Sequence, residues 1–329
     1  MILNLNSGYG QLLANQIAAS VGPVMGKILI VCPSTDANYD RLSQLFVGDT
    51  EGEVRLFTTL EAAYTAATTN QNDVICLMGT GTHSLAAGIA WTKSRVHVIG
   101  FDGGDRLVQQ GAKVTTVTGD ATAYTVKVTG TRNTFENVKF IQNSAEATAL
   151  TVLQEGAEGS VYKNCSFVFG VNDNLGGTTA HEVVSGSDSA TFLNCTFGSD
   201  TLLTSAARSV FTIDQVTTSQ EFKSNILKDC IWMVSSSDAD ALLLEVAANT
   251  DVLYTNLFIN PIMMASIDTA GGIALTVGAA SAGSLVKGTL NFANLATFNI
   301  ASFMTTSDQV KITGNIPIAA TSGISVTPA

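Results

Sequence analysis

The residues of this chain best equipped for chemistry fall into three groups: cysteines beside asparagines, acids in glycine-rich turns, and scattered histidines. "YKNCSFVFG" at 162–170 returns thirty positions later as "FLNCTFGSD" at 192–200, with aromatic, Asn, Cys and Phe in the same places. A thiol fixed beside an amide could be half of a metal or redox centre. Yet the five cysteines, Cys32, Cys76, Cys165, Cys195 and Cys230, make an odd count with no C-x-x-C pair, which weakens both a disulfide framework and a zinc site. Reduced, buried thiols in a protein made in the cytosol are the simpler reading.

Clustered carboxylates are the next candidate, since paired acids, with or without calcium and a basic residue, cleave polysaccharides. The closest constellation is "FDGGDR", where a Gly pair could let Asp102 and Asp105 converge beside Arg106. Its structural counterpart, a Gly-rich turn with solvated acids, outweighs it because so short a match arises often by chance. Glu155, Glu158, Asp188 and Asp200 all sit in turn contexts, as hydrogen-bonding loop residues do. None repeats at one coil position, so no groove assembles from them. His83, His97 and His181 are far apart, and the pattern Val96, His97, Val98 points His97 outward. A Ser-His-Asp set could be drawn on paper from any Ser-rich chain and needs geometry to justify it. No P-loop, no dinucleotide fingerprint and no helical metal motif is present, so neither a cofactor nor a metal is expected.

Composition narrows the classes further. The chain has 329 residues, 46% hydrophobic and only 13% charged, with 29 Gly and 5 Pro. That blend favours strands and turns over helices, and a surface so poor in charge suggests coverage by partner subunits. A formal net charge of −11 with no basic run argues against nucleic-acid binding. No apolar stretch reaches the ~18 residues of a membrane span, so no membrane partner is expected. Lys27 is the first charged residue. The preceding stretch lacks the positive start and unbroken apolar centre of a secretory signal, and reads as an ordered or partner-bound arm with a short helix near Leu12 to Ala19.

Positioning elements emerge from a search for repeats. Six hexapeptides align: "FENVKF", "YKNCSF", "FLNCTF", "LKDCIW", "YTNLFI" and "FANLAT". Their third positions, Asn137, Asn164, Asn194, Asp229, Asn256 and Asn294, are spaced by 27, 30, 35, 27 and 38 residues, as in a solenoid with insertions in its loops. In "FENVKF" the spacing of Phe135, Val138 and Phe140 breaks strand alternation. A two-residue corner at Glu136 and Asn137 resets the phase and turns all three inward. Asn suits such a corner because it tolerates the left-handed conformation, and stacked amides about 4.8 Å apart can bond as a ladder. The next residue, Val138, Cys165, Cys195, Cys230, Leu257 or Leu295, then forms an inward stack in which thiols serve as small apolar side chains. Parallel stacked side chains are poorly aimed for a Cys165–Cys195 disulfide.

This corner, repeated at coil length, resembles the right-handed parallel β-helix of pectin-lyase-like proteins. The resemblance covers about residues 55 to 300. Within it, "TTLEAAYTAATTNQNDVICLMGTGTHSL" reads as a capped helix with Leu60, Ala63, Tyr64 and Ala67 on one face, then the strand "DVICLM". "SRVHVIGFDGG" follows as the next strand and turn. The implied fold is all-β, a β-helix of about eight coils at roughly 25 to 30 residues each. Residues 1–26 are assigned to the uncharged arm, 27–54 to an N-terminal cap with a strand at Ile28 to Val31 and a short helix near Asp40 to Phe46, 55–300 to the β-helix, and 301–329 to a C-terminal cap or arm.

Such a fold serves lyases, hydrolases, tailspikes and virion scaffolds alike. The opening "GKILIVCPS...FTTLEAAYTAATTNQNDVICL" is similar to β-helix proteins of tailed-phage genomes. Together with the missing secretory signal, the inward reduced thiols, the uncharged arms and the lack of a catalytic motif, that resemblance points to a non-enzymatic virion protein, a head decoration type, working as a homotrimer against the major capsid protein or other virion proteins and made in the host cytoplasm. Two alternatives stand beside it. A tailspike or receptor-binding protein would recognise cell-surface glycan, for which 2 Trp and 6 Tyr are a thin supply of stacking surfaces. A polysaccharide lyase or hydrolase would need a catalytic cluster that no motif here supplies.

Overall fold

The computed structural model describes residues 26–45, 54–78, 81–101, 110–170, 180–204, 209–217, 222–236, 242–246, 252–253, 256–267, 284–287, 291–293 and 311–313. Three large sheets run through it, sheet A with eleven strands, sheet B with eight and sheet C with six, all paired in parallel. Sheet A lines up Thr134–Glu136, Val161–Lys163, Thr191–Leu193 and Ile226–Lys228 in chain order. Sheet B does the same with Lys139–Gln142, Ser166–Phe169 and Thr196–Thr204, and sheet C with Tyr124–Val128, Thr151–Glu155, His181–Ser185 and Ser209–Ile213. The chain visits A, B and C in turn and returns to A one strand further on. It is a right-handed parallel β-helix, with the hand that parallel crossovers prefer.

Strand alternation sends one residue in two inward, and the parallel register places like side chains over like. Phe135, Tyr162 and Phe192 stack at 5.1 and 4.7 Å beneath sheet A. Phe140, Phe167 and Phe197 stack at 5.4 and 5.8 Å beneath sheet B, with Trp232 continuing the column at 5.1 Å. Each such pair adds about 0.5–1.5 kcal/mol beyond the area it buries. The aromatics therefore fix register as well as fill space.

Sheet A runs past the 55–300 body at both ends. Ile28–Val31 pairs with Asp73–Leu77 and with Leu56–Phe57, and Lys311–Thr313 pairs with Ser284–Lys287. Helix α1 (Tyr39–Leu45) packs Leu42 against Ile30, Cys32, Val74, Cys76 and Ile99, a second small core separate from the solenoid interior. His97 shares that outer face, two residues before Ile99. It does point away from the interior, but it is buried, and burial pushes its imidazole down to about 4.

Helix α2 (Leu60–Ala66) plugs the open end of the cylinder. Thr59 caps it by accepting the Ala62 N–H at 3.2 Å, and Leu60, Ala63 and Tyr64 join the main core. Among the described residues, the first strand of sheet C, Ile89–Trp91, has no strand on its other side. Side chains around it take up backbone donors. The Tyr64 hydroxyl accepts from Thr92 N and Lys93 N at 2.7 and 2.9 Å, Glu61 accepts from Ala86 N at 3.0 Å and Asp120 from Gly88 N at 2.8 Å. Lys93 Nζ returns the favour, donating to the carbonyls of Tyr64, Thr65 and Ala67 at 2.6, 2.9 and 2.7 Å, where the helix dipole favours a cation. Among the described residues no helix is long and apolar enough to cross a membrane.

Candidate functional site

At the turn from sheet A to sheet B, Asn137, Asn164, Asn194 and Asp229 have φ of 56°, 49°, 53° and 53°. Their backbone N–H groups donate to the carbonyls of Lys163, Leu193, Lys228 and Ile259 one coil ahead, at 2.8–3.0 Å. Asn164 Nδ2 also donates to Asn137 Oδ1 at 3.2 Å, so the amides are linked directly. The residue after each, Val138, Cys165, Cys195 or Cys230, is wholly buried. Each thiol donates to a carbonyl of the coil behind: Cys165 to Phe135, Cys195 to Tyr162 and Cys230 to Phe192, at 3.4–3.5 Å. Burial drives the Cys165 and Cys195 thiols well above their ordinary range, so no thiolate is on offer for a metal or a redox partner.

The fifth coil departs from the sequence alignment. Lys228 pairs with Ile259, so the corner falls on Asn260, with φ of 50° and its amide donating to Asp229 Oδ1 at 3.1 Å. Buried Pro261 takes the inward place assigned to Leu257, which lies partly buried inside the strand Asn256–Ile259. The true unit is "FINPIM": Phe258 is the register partner of Leu227, whereas "YTNLFI" has the same aromatic-x-Asn spacing too early in the coil. For the sixth unit the strand Asn291–Ala293 pairs with Ile262–Met264 in sheet B, already past the corner. Asn294 and Leu295 therefore follow a sheet B strand rather than precede one, and they lie outside the described residues.

Asn256 instead belongs to a second corner, from sheet C back to sheet A. There Asn72, Arg95, Arg132, Gly159, Ser189 and Ser224 have positive φ, between 54° and 72°. The residue following each is buried, and where it is Asp or Asn its side chain accepts the backbone N–H of its counterpart one coil earlier. Asp73 accepts from Lys27 N at 2.7 Å, Asn133 from Val96 N at 2.9 Å, Asn225 from Ala190 N at 2.7 Å and Asn256 from Asn225 N at 2.9 Å. Asn225 Nδ2 donates to Ser187 O and to Asn256 Oδ1, both at 3.0 Å. This is a buried amide ladder, distinct from the half-buried one at the first corner.

Glu155 enters the same corner with its carboxyl fully buried. Tyr162 donates its hydroxyl to Glu155 Oε2, and Ala157 N donates to Oε1 at 2.6 Å. Desolvation outweighs these bonds and pushes the carboxyl up to about 8, so it is protonated at neutral pH. Glu158 and Asp188 do share one coil position, contrary to the sequence reading, because the parallel register aligns their turns, with Lys223 next in line. Lys223 Nζ lies 3.2 Å from Asp188 Oδ2 and ties that carboxylate into an ion pair. Asp200 falls within the strand Thr196–Thr204. Asp102, Asp105 and Arg106 lie outside the described residues, as do residues 1–25 with the stretch from Leu12 to Ala19.

The histidines do not converge. His83 points inward in register with Val114, and burial pushes it down to about 4. His181 Nδ1 sits 2.9 Å from both Ser209 Oγ and Thr212 Oγ1, and 3.0 Å from the Ser209 carbonyl oxygen. A carbonyl only accepts, so the proton belongs on Nδ1 and that nitrogen is not a base for the serine. Ser209 is also wholly buried, out of reach of a substrate. Among the described residues no set of three His, Cys, Asp or Glu side chains is placed to hold a metal ion.

The sequence matches no protein-family model and no curated protein. Among solved structures it is similar to the pectin methylesterase of Aspergillus niger, at 13% identity over 89% of this chain and 91% of that one, with a TM-score of 0.47. A pectate lyase aligns at 14% identity over 91% and 78% of the two chains, TM-score 0.43. The Dettilon tailspike protein aligns at 11% over 92% and 73%, TM-score 0.27. At these identities and scores no residue correspondence with the sites of those proteins follows.

Proposed function

We propose that this protein is a structural component of a phage virion, a capsid decoration (cement) protein that binds the outer head surface as a homotrimer. The observation that carries the reading is where the polar groups go. Asparagines at two corners and three thiols are spent on bonds from coil to coil, and a buried carboxyl on bonds within one corner, which makes a stiff column. A rod that is only 13% charged is suited to lying against other protein surfaces. The uncharged first 26 residues supply an arm for the major capsid protein or a neighbouring copy. The similarity of its opening segment to tailed-phage β-helix proteins favours the same assignment.

Quantitative proteomics of purified virions tests it. A decoration protein is present in hundreds of copies, and particles lacking it lose resistance to heat or osmotic shock. A few to a few dozen copies, with loss of host adsorption and an unweakened capsid, would establish a tailspike instead. Release of reducing ends or unsaturated sugars from a polysaccharide panel would establish an enzyme.

A further inference from the structure

Sheet B carries an arrangement that the ladders do not account for. On its outer face, successive coils place Thr82, Lys113, Lys139 and Ser166 in one column, each the direct register partner of the next. Two lysines thus lie opposite each other on adjacent strands, about 4.8 Å apart at the backbone. Like charges at directly opposed positions repel, and sheets ordinarily separate them or insert an acid.

No acid is inserted. Neither ammonium has a hydrogen-bond acceptor or an ion-pair partner among the described residues, although the chain carries twenty-seven acids against sixteen bases. Both side chains are half-buried. Lys139 is held below its ordinary range first by desolvation and then by Lys113, so the strain of the pair is felt in the protein as it stands. Hydroxyls flank the lysines. Thr82 is exposed at one end, while at the other buried Ser166 donates to Gln110 Oε1 at 2.9 Å, and Gln110 Nε2 donates to Asn164 O at 2.9 Å. The column therefore ends in a closed step on one side and stays open on the other.

We propose that Lys113 and Lys139 form a binding site for a single oxyanion, a carboxylate or phosphate group carried by a small ligand, which seats between the two ammonium groups. An oxyanion supplies the missing acceptor for both cations at once, and two point charges suit a compact anion. The inference is independent of the virion reading.

Isothermal titration calorimetry on the full-length protein at low ionic strength tests it, with inorganic phosphate and glucuronate as separate probes. We expect at least one to bind with a millimolar Kd, and the one that binds identifies the source of the oxyanion. Lys113→Met and Lys139→Met should each weaken binding at least tenfold, while the exposed Lys228→Met, with the same change in net charge, should alter it less than twofold. NMR of the reductively 13C-methylated wild-type protein provides a readout that does not depend on the variants folding: saturation with the probe should raise the titration midpoint of the Lys139 resonance. Binding of neither probe, equal binding by both lysine variants, or an unmoved Lys139 midpoint at saturation would overturn the site.

Discussion

The two asparagine corners do the same job by different physics. Between sheets A and B, asparagine occupies the positive-φ position itself, so backbone conformation selects it and its side chain stays half-buried. Between sheets C and A the positive-φ residue is Arg, Ser, Gly or Asn, and where the corner carries an amide, as at Asn133 and Asn225, it sits on the following residue, wholly buried, where it stands in for a missing backbone acceptor. The first corner is chosen by torsion angle, the second by the need to satisfy a donor in the dark. Removing an amide should therefore be mild at the first and severe at the second.

The largest effect is expected from the buried carboxyl at the second corner. The folded value of Glu155, about 8, lies above its ordinary value of 4.5, so the folded state holds a proton that the unfolded chain releases. Stability is then fully present below pH 4.5 and falls as pH rises through 8, by up to about 1.4 kcal/mol per pH unit in between. Urea melts across this range should show the slope, and Glu155→Gln should flatten it. A protein equally stable at both ends would show that the second corner tolerates charge.

Next comes Asn225→Ala, which orphans the Ala190 N–H, leaves the Ser187 carbonyl only a long bond from Lys223 N at 3.4 Å, and removes one donor to the Asn256 amide oxygen. We expect a loss of about 3 kcal/mol or more, read from chemical melts, with strong coupling to Asn256→Ala in a double-mutant cycle. Asn164→Ala at the first corner should cost only about 1–2 kcal/mol, from the left-handed conformation and one amide bond, and Asn164→Gly should recover much of it. If Asn164→Ala proved as damaging as Asn225→Ala, the distinction between the corners would collapse.

The smallest effect is expected at Cys195. Cys195→Ser keeps a donor for the Tyr162 carbonyl and should shift stability by no more than about 1 kcal/mol. In the native protein Cys165, Cys195 and Cys230 should resist a thiol reagent until denaturant is added, since all three are buried.

The same contrast explains what was legible in the sequence. The first corner repeats a residue type at one φ, so Asn137, Asn164, Asn194 and Asp229 stand out in the sequence. Helix α2 and the strand after it are readable from local periodicity. Asn256 misled because an apolar residue after an asparagine is common in any strand, and only the register with Lys228 shows that Asn260 makes the turn. The second corner leaves no signature, because Arg132, Gly159, Ser189 and Ser224 share a conformation and not a chemistry. The pairing of Glu155 with Tyr162 depends on how the chain turns from sheet C to sheet A, and the opposition of Lys113 and Lys139 on how coils stack, neither of which a linear string displays.

The seal at the first strand of sheet C bears on how copies of this molecule can grow into larger bodies. Exposed strand edges are templates on which further chains polymerise. Here the Tyr64 hydroxyl and the Glu61 and Asp120 carboxylates occupy donors that an incoming strand would need, and Lys93 pins the helix that carries two of them. These bonds leave fewer free backbone donors beside that edge for a further strand to pair with, so the starting edge of sheet C is a poorer template than a bare strand would be.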